Sequence, residues 1–92
     1  MAETVIRLEI HGRVQGVGYR ASMTEQARRL GLRGWVRNRR DGSVEAVVAG
    51  PADVVQRLVD WSKCGPPSAV VDSVESFAAE GRFVGFEQRP DS

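Results

Sequence analysis

One cysteine, one histidine and one lysine are all that 92 residues hold of those three side chains, and each scarcity closes off a class of chemistry. Cys64 has no partner for an intramolecular disulfide. A small chain without such staples points to a reducing compartment, so a cytoplasmic location is expected. Cys64 is a poor candidate nucleophile, because His11 is the only imidazole that can serve it as a base. With one histidine and no clustered acids the sequence offers a weak ligand set, and no metal or other cofactor is expected. Apolar runs fall short of the roughly 18 residues of a membrane span. Met1-Ala2-Glu3-Thr4-Val5 lacks the basic and apolar segments of a secretory signal.

What is present is ordinary globular composition, with 41% hydrophobic and 27% charged residues, and enough chain for one domain over residues 1–92. The net charge of +1 hides an uneven distribution. Residues 1–40 carry nine arginines against Glu3, Glu9 and Glu25, whereas the remainder is acidic. That asymmetry fits an anionic partner, and fits equally a set of scattered surface arginines.

Ile6, Leu8 and Ile10 alternate with Arg7, Glu9 and His11, the period of a half-buried strand. Ser22-Met23-Thr24-Glu25 reads as a capping box opening a helix, with Met23, Ala27 and Leu30 on one stripe and Gly31 as its stop. Leu32 to Arg39 and Ser43 to Ala49 form a hairpin around Asp41-Gly42, and Gly50-Pro51 is expected to break the second strand. Val54, Val55, Leu58, Val59 and Trp61 make the apolar face of a second helix ending near Cys64. Val70 to Phe77 and Phe83 to Gln88 are further strands. The order predicts an α+β fold, a ferredoxin-like βαββαβ sandwich: a four- to five-stranded antiparallel sheet with two helices on one face.

Fold does not decide activity; the loop between the first strand and first helix is more informative. Gly12-Arg13-Val14-Gln15-Gly16-Val17-Gly18-Tyr19-Arg20 holds three glycines in its first seven residues. Such a turn can aim several backbone N–H groups into one concavity, with a helix N-terminus behind them. Arg20 can add paired hydrogen bonds to a phosphate. From physics alone, a plain tight turn beside a surface arginine remains an alternative.

The segment from Gly12 to Arg20 resembles the first signature of the acylphosphatase family, and Gly34-Trp35-Val36-Arg37-Asn38 resembles the second. Asp41-Gly42-Ser43-Val44, Gly50-Pro51 and Gly65-Pro66-Pro67 with Val71-Asp72 fit the same pattern, so the likeness runs from about residue 5 to 89. The resemblance implies a cofactor-free hydrolase of acyl phosphates. In it Arg20 binds the phosphate and Asn38 orients the attacking water. The backbone amides of Gln15, Gly16, Val17, Gly18 and Tyr19 wrap the phosphate oxygens. A small-molecule acyl phosphate is the expected partner of a monomer, with no nucleic acid and no membrane.

Three departures from the family pattern stand out. Gly18 and Tyr19 replace residues frequent in relatives yet keep the amides and the aromatic body. Arg39 follows Asn38 where some relatives have a hydroxyl residue, which predicts a missing supporting hydrogen bond. Gln88 and Pro90 replace apolar or aromatic residues, which predicts a looser last strand. His11, Trp35 and Trp61 are read as structural. Two other functions compete. A nucleic-acid module would need an aromatic and basic signature on the central strands, and Val44 to Val48 is aliphatic and acidic. A noncatalytic or specialised carbamoyl- or acyl-phosphate-binding module, as in the amino-terminal segment of a hydrogenase-maturation protein, belongs to much longer chains.

Overall fold

Leu8 and Ile10 are fully buried while Arg7, Glu9 and His11 stay partly exposed. The alternation thus gives the first strand one core face and one solvated face. The computed structural model describes residues 3–91. Its elements are β1 (Glu3–Arg13), α1 (Tyr19–Arg29), β2 (Arg33–Asn38), β3 (Val44–Pro51), α2 (Ala52–Ser62), β4 (Val70–Ala78) and β5 (Phe86–Gln88). They form a five-stranded sheet in the order β4-β1-β3-β2-β5. Helices α1 and α2 pack on the same core as Leu8, Ile10, Val36, Val44, Ala46 and Val48. The ferredoxin-like α+β architecture is therefore the observed one.

The first four strands pair antiparallel, and β5 pairs parallel to β2. The expected all-antiparallel sheet is corrected at that edge. The chain leaves β4 at the end of the sheet where β2 begins. Residues 79–85 cross that end, so the returning strand runs alongside β2 in the same sense. Gly34 N–H donates to the Gly85 carbonyl at 2.9 Å and fixes the entry. β5 is short, starting at Phe86 rather than Phe83.

Two boundaries differ from expectation. Gly50 and Pro51 do not break β3: they pair with Thr4 and Glu3, and Pro51 then caps α2. Helix α1 begins at Tyr19, capped by Gly18 at φ 79°, not at Ser22. The reason is packing. Tyr19 lies four residues before Met23, and both are buried in the core. Burying an aromatic ring contributes about 1.5–3 kcal/mol, more than the ~1 kcal/mol of a side-chain cap. The helix extends backward by a turn to capture it.

Candidate active site

Helix α1 starts without a capping side chain and without an acid in its first turn. Its first bond within the helix is Ser22 N–H to the Gly18 carbonyl at 3.0 Å. The N–H groups of Tyr19, Arg20 and Ala21 thus have no partner inside the helix. Immediately upstream, Gly16 and Gly18 take positive φ of 74° and 79°, whereas Val17 between them does not. This alternation in sign makes successive amides converge. A Cβ at either glycine would meet no atom within 4 Å, so glycine is required there for backbone conformation, not for space. Val14, fully buried, anchors the start of the loop in the core.

Asn38 closes β2 on its core-facing side and is largely buried. The hairpin beyond it is held by its own bonds: Arg39 N–H to the Ser43 carbonyl at 2.9 Å, and Asp41 Oδ1 accepting from Ser43 N and Oγ at 2.9 and 2.6 Å. Gln15 ties the glycine loop to this hairpin. Its Nε2 donates to the Arg39 carbonyl at 2.7 Å and to the Ser43 carbonyl at 2.9 Å. The Arg39 carbonyl accepts from Gln15, and the Arg39 side chain pairs with Glu9 at 3.2 Å on the opposite face, away from Asn38.

Arg20 and Asn38 line one cavity of about 120 Å³, together with Val14, Gly16, Gly18, Tyr19, Ala21 and Gln88. That volume suits a small ligand, well below the roughly 300–1,000 Å³ of a drug-sized ligand's cleft. Of the expected site residues, Gly16, Gly18, Tyr19, Arg20 and Asn38 are brought together there. Gln15 and Val17 are not on the lining. Gln15 turns toward the hairpin, and Val17 packs against the core. Ala21 and Gln88 were missed by sequence reasoning. Ala21 becomes legible once α1 starts at Tyr19, since it is then the third free amide. Gln88 is brought there by the parallel pairing of β5, which the sequence did not signal.

The Arg20 guanidinium also contacts the chain's end, donating from Nη1 to the Arg89 carbonyl at 3.4 Å and to Asp91 Oδ1 at 3.2 Å. Asp91 is two-thirds exposed, and a pair of that kind contributes about 0.2–1 kcal/mol. A larger cleft of about 410 Å³ lies at the other end of α1, bounded by Arg28, Leu32, Arg33 and Val84. Both of its arginines have partners, Arg28 the Phe86 carbonyl and Arg33 the Glu3 carboxylate, and no helix N-terminus opens onto it. The smaller cavity is the one where free donors converge.

The Tyr19 and Trp61 rings pack at a tilt of 49° with centroids 5.5 Å apart, and the Tyr19 hydroxyl donates to the Ser62 carbonyl at 2.7 Å. Burial pushes this phenol's pKa well up, so it stays a protonated donor. His11 lies on the open face of the sheet, its Nε2 3.2 Å from Glu75 and 3.7 Å from Glu9. Its ring is outside the cavity lining. Among the described residues, Glu9, His11 and Glu75 bring three ligand atoms within 4.8 Å of one another, also away from the cavity. Trp35 sits under the guanidinium groups of Arg37 and Arg89.

A two-layer α+β domain with a small donor-lined cavity between β1 and α1 is the class that fold and site define. Residues 6–88 match the family model described as Acylphosphatase. The chain is 61% identical over 89 residues to an acylphosphatase of Albidiferax ferrireducens, covering 97% of each chain. It is 56% identical to one of Thiobacillus denitrificans, covering 94% of this chain and 97% of that relative. The solved structure of an acylphosphatase from Coxiella burnetii superposes with a TM-score of 0.91 at 38% identity, covering 95% of this chain and 93% of that one. The chain belongs to the acylphosphatase family.

Proposed function

We propose that this protein hydrolyses the carboxyl-phosphate bond of acyl phosphates to a carboxylate and inorganic phosphate. The observation that carries the reading is the single small cavity shared by Arg20, Asn38 and the free amides at the start of α1. The phosphoryl group sits against the amides of Gly16, Gly18, Tyr19, Arg20 and Ala21, with the guanidinium completing the ring of donors. Charge in phosphoryl transfer spreads over three equatorial oxygens, so fixed donors and one cation carry most of the stabilisation. The carboxamide of Asn38 accepts a hydrogen bond from water and donates to a phosphate oxygen, holding the nucleophile in line.

The water oxygen bonds to phosphorus as the bond from phosphorus to the acyl oxygen breaks. The carboxylate leaves without needing an acid, because it is weakly basic. The water's proton passes to a phosphate oxygen, since Asn38 is no base. The lining residues include neither carboxylate nor imidazole, which supports a reaction that needs no metal.

The same reading takes the chain as one domain over residues 1–92 and as a cytoplasmic monomer. One core between sheet and helices supports the first, and the single exposed thiol, Cys64, supports the location. Nucleic acid is not an expected partner, because the open-face rings of Trp35 and Phe77 are already covered by Arg37, Arg89 and Arg7. No helix of the described residues is long and apolar enough to cross a membrane.

The purified protein should turn over benzoyl phosphate in the presence of EDTA, followed as loss of substrate absorbance. Arg20→Ala should weaken phosphate inhibition and cut turnover together. Activity that vanishes with EDTA and returns with a divalent cation would contradict the mechanism.

A further inference from the structure

The last strand puts a polar side chain where the core pattern calls for an apolar one. Gly34 is paired with Phe86 and Val36 with Gln88 across the parallel β2–β5 ladder, and directly paired residues share a face of the sheet. Val36 and Phe86 are core residues, so Gln88 projects on the helix side with them. Its neighbours Glu87 and Arg89 turn to the open face, where Arg89 lies 4.8 Å over the Trp35 ring. The Arg89 N–H donates to the Val36 carbonyl at 2.8 Å and holds the register just beyond Gln88. Gln88 is exposed because the helix side at this point is the cavity that also holds Arg20 and Asn38.

The other polar groups of that cavity have assignments: Arg20 and the loop amides at the phosphoryl group, Asn38 at the water. We propose that Gln88 reads the acyl group, favouring acyl phosphates that carry a hydroxyl or amino group on the carbon next to the carbonyl. This rests on the acyl-phosphate hydrolase reading above. A primary amide both donates and accepts, so it pairs with either substituent, and a methyl group in that place leaves it unpaired. An exposed neutral hydrogen bond supports a preference of about three- to tenfold, far below the discrimination of a fully buried polar pocket.

The test compares 2-hydroxypropanoyl phosphate with 2-methylpropanoyl phosphate, which differ by a hydroxyl in place of a methyl. The ratio of their kcat/KM values is measured for wild type, Gln88→Leu and Gln88→Met. Benzoyl phosphate hydrolysis and the thermal midpoint are recorded for each. Relative to the ratio of the uncatalysed hydrolysis rates of the two substrates, the wild type should favour the hydroxyacyl substrate about three- to tenfold further, and both variants should lose that excess. An unchanged ratio, or a loss shared equally by both substrates, overturns the role of Gln88 and leaves the hydrolase standing. A wild type that hydrolyses none of the three removes the hydrolase and this proposal together. Gln88→Met keeps the side-chain length, so a folding defect in Gln88→Leu does not decide the outcome.

Discussion

Gln15 commits both hydrogens of its amide to carbonyls on the neighbouring hairpin, which makes it the brace between the glycine loop and the strand end that carries Asn38. Neither contact touches the cavity, so the expected consequence of losing it is misalignment rather than lost binding. A displacement of about 1 Å between reacting groups can cost on the order of 100-fold in rate. Gln15→Ala should therefore lower kcat about 10- to 100-fold while KM moves much less, measured by steady-state kinetics on benzoyl phosphate. Gln15→Glu should do no better, because a carboxylate facing two carbonyls accepts and cannot donate. An equal loss in kcat and affinity would speak against the brace. At this scale the two stretches that resemble the family's signatures singled out Arg20 and Asn38, and both line the same small cavity. The sequence assigned Gln15 only a backbone role, because the carbonyls its side chain meets lie 24 and 28 residues away.

Among the elements, α1 is where local and tertiary preferences compete. Ser22-x-x-Glu25 has the form of a cap, yet the helix begins three residues earlier because Tyr19 belongs in the core. That shift moves the free amides from around Ser22 to Tyr19, Arg20 and Ala21, where they face the cavity. The Tyr19 hydroxyl reinforces the arrangement by bonding to Ser62, the last residue of α2, whose carbonyl has no partner within its own helix. Tyr19→Phe should destabilise the fold by about 1–2 kcal/mol, read from denaturant unfolding. Phosphate should still bind, since no atom removed lines the backbone ring. No destabilisation at all would mean that the bond between the two helices contributes nothing net. The parallel β5 was not legible for a related reason. Its direction is decided by where the chain leaves β4, and a three-residue strand carries too little pattern to show it.

Across the whole molecule, five of the nine arginines in the first 40 residues pair with four glutamates, so the excess positive charge there is only partly offset. Arg7 pairs with Glu9 and Glu45, Arg37 with Glu45, Arg39 with Glu9, Arg29 with Glu25 and Arg33 with Glu3. Arg7, Arg37 and Arg39 form an ion-pair lattice with Glu9 and Glu45 over the open face, and Arg20 is the arginine that reaches the cavity. This lattice sets a pH dependence. Hydrogen bonds from Arg7 hold the Glu9 carboxyl below its ordinary value of 4.5, and Arg33 does the same for Glu3. Bonds from Ser43 hold Asp41 below its ordinary 3.8. Groups with depressed folded-state values contribute stability that is present above their unfolded values and lost as pH falls through the folded ones. The thermal midpoint should thus fall on acidification below about pH 4.5. High salt should shrink the share of that dependence that comes from the Arg33–Glu3 pair, which is open to solvent. A midpoint flat through the acid range would contradict it.

The account stands on a division of labour in one cavity: Arg20 and the backbone ring hold the phosphate, and Asn38 directs the water. Asn38→Ala separates the two jobs. Titration of inorganic phosphate, paired with turnover of benzoyl phosphate by the same preparation, is the most direct measurement. Phosphate affinity should stay within a few-fold of wild type while kcat drops by about 100-fold or more, as for removal of one preorganised group. Turnover left intact in Asn38→Ala, with phosphate bound as before, would contradict the central claim.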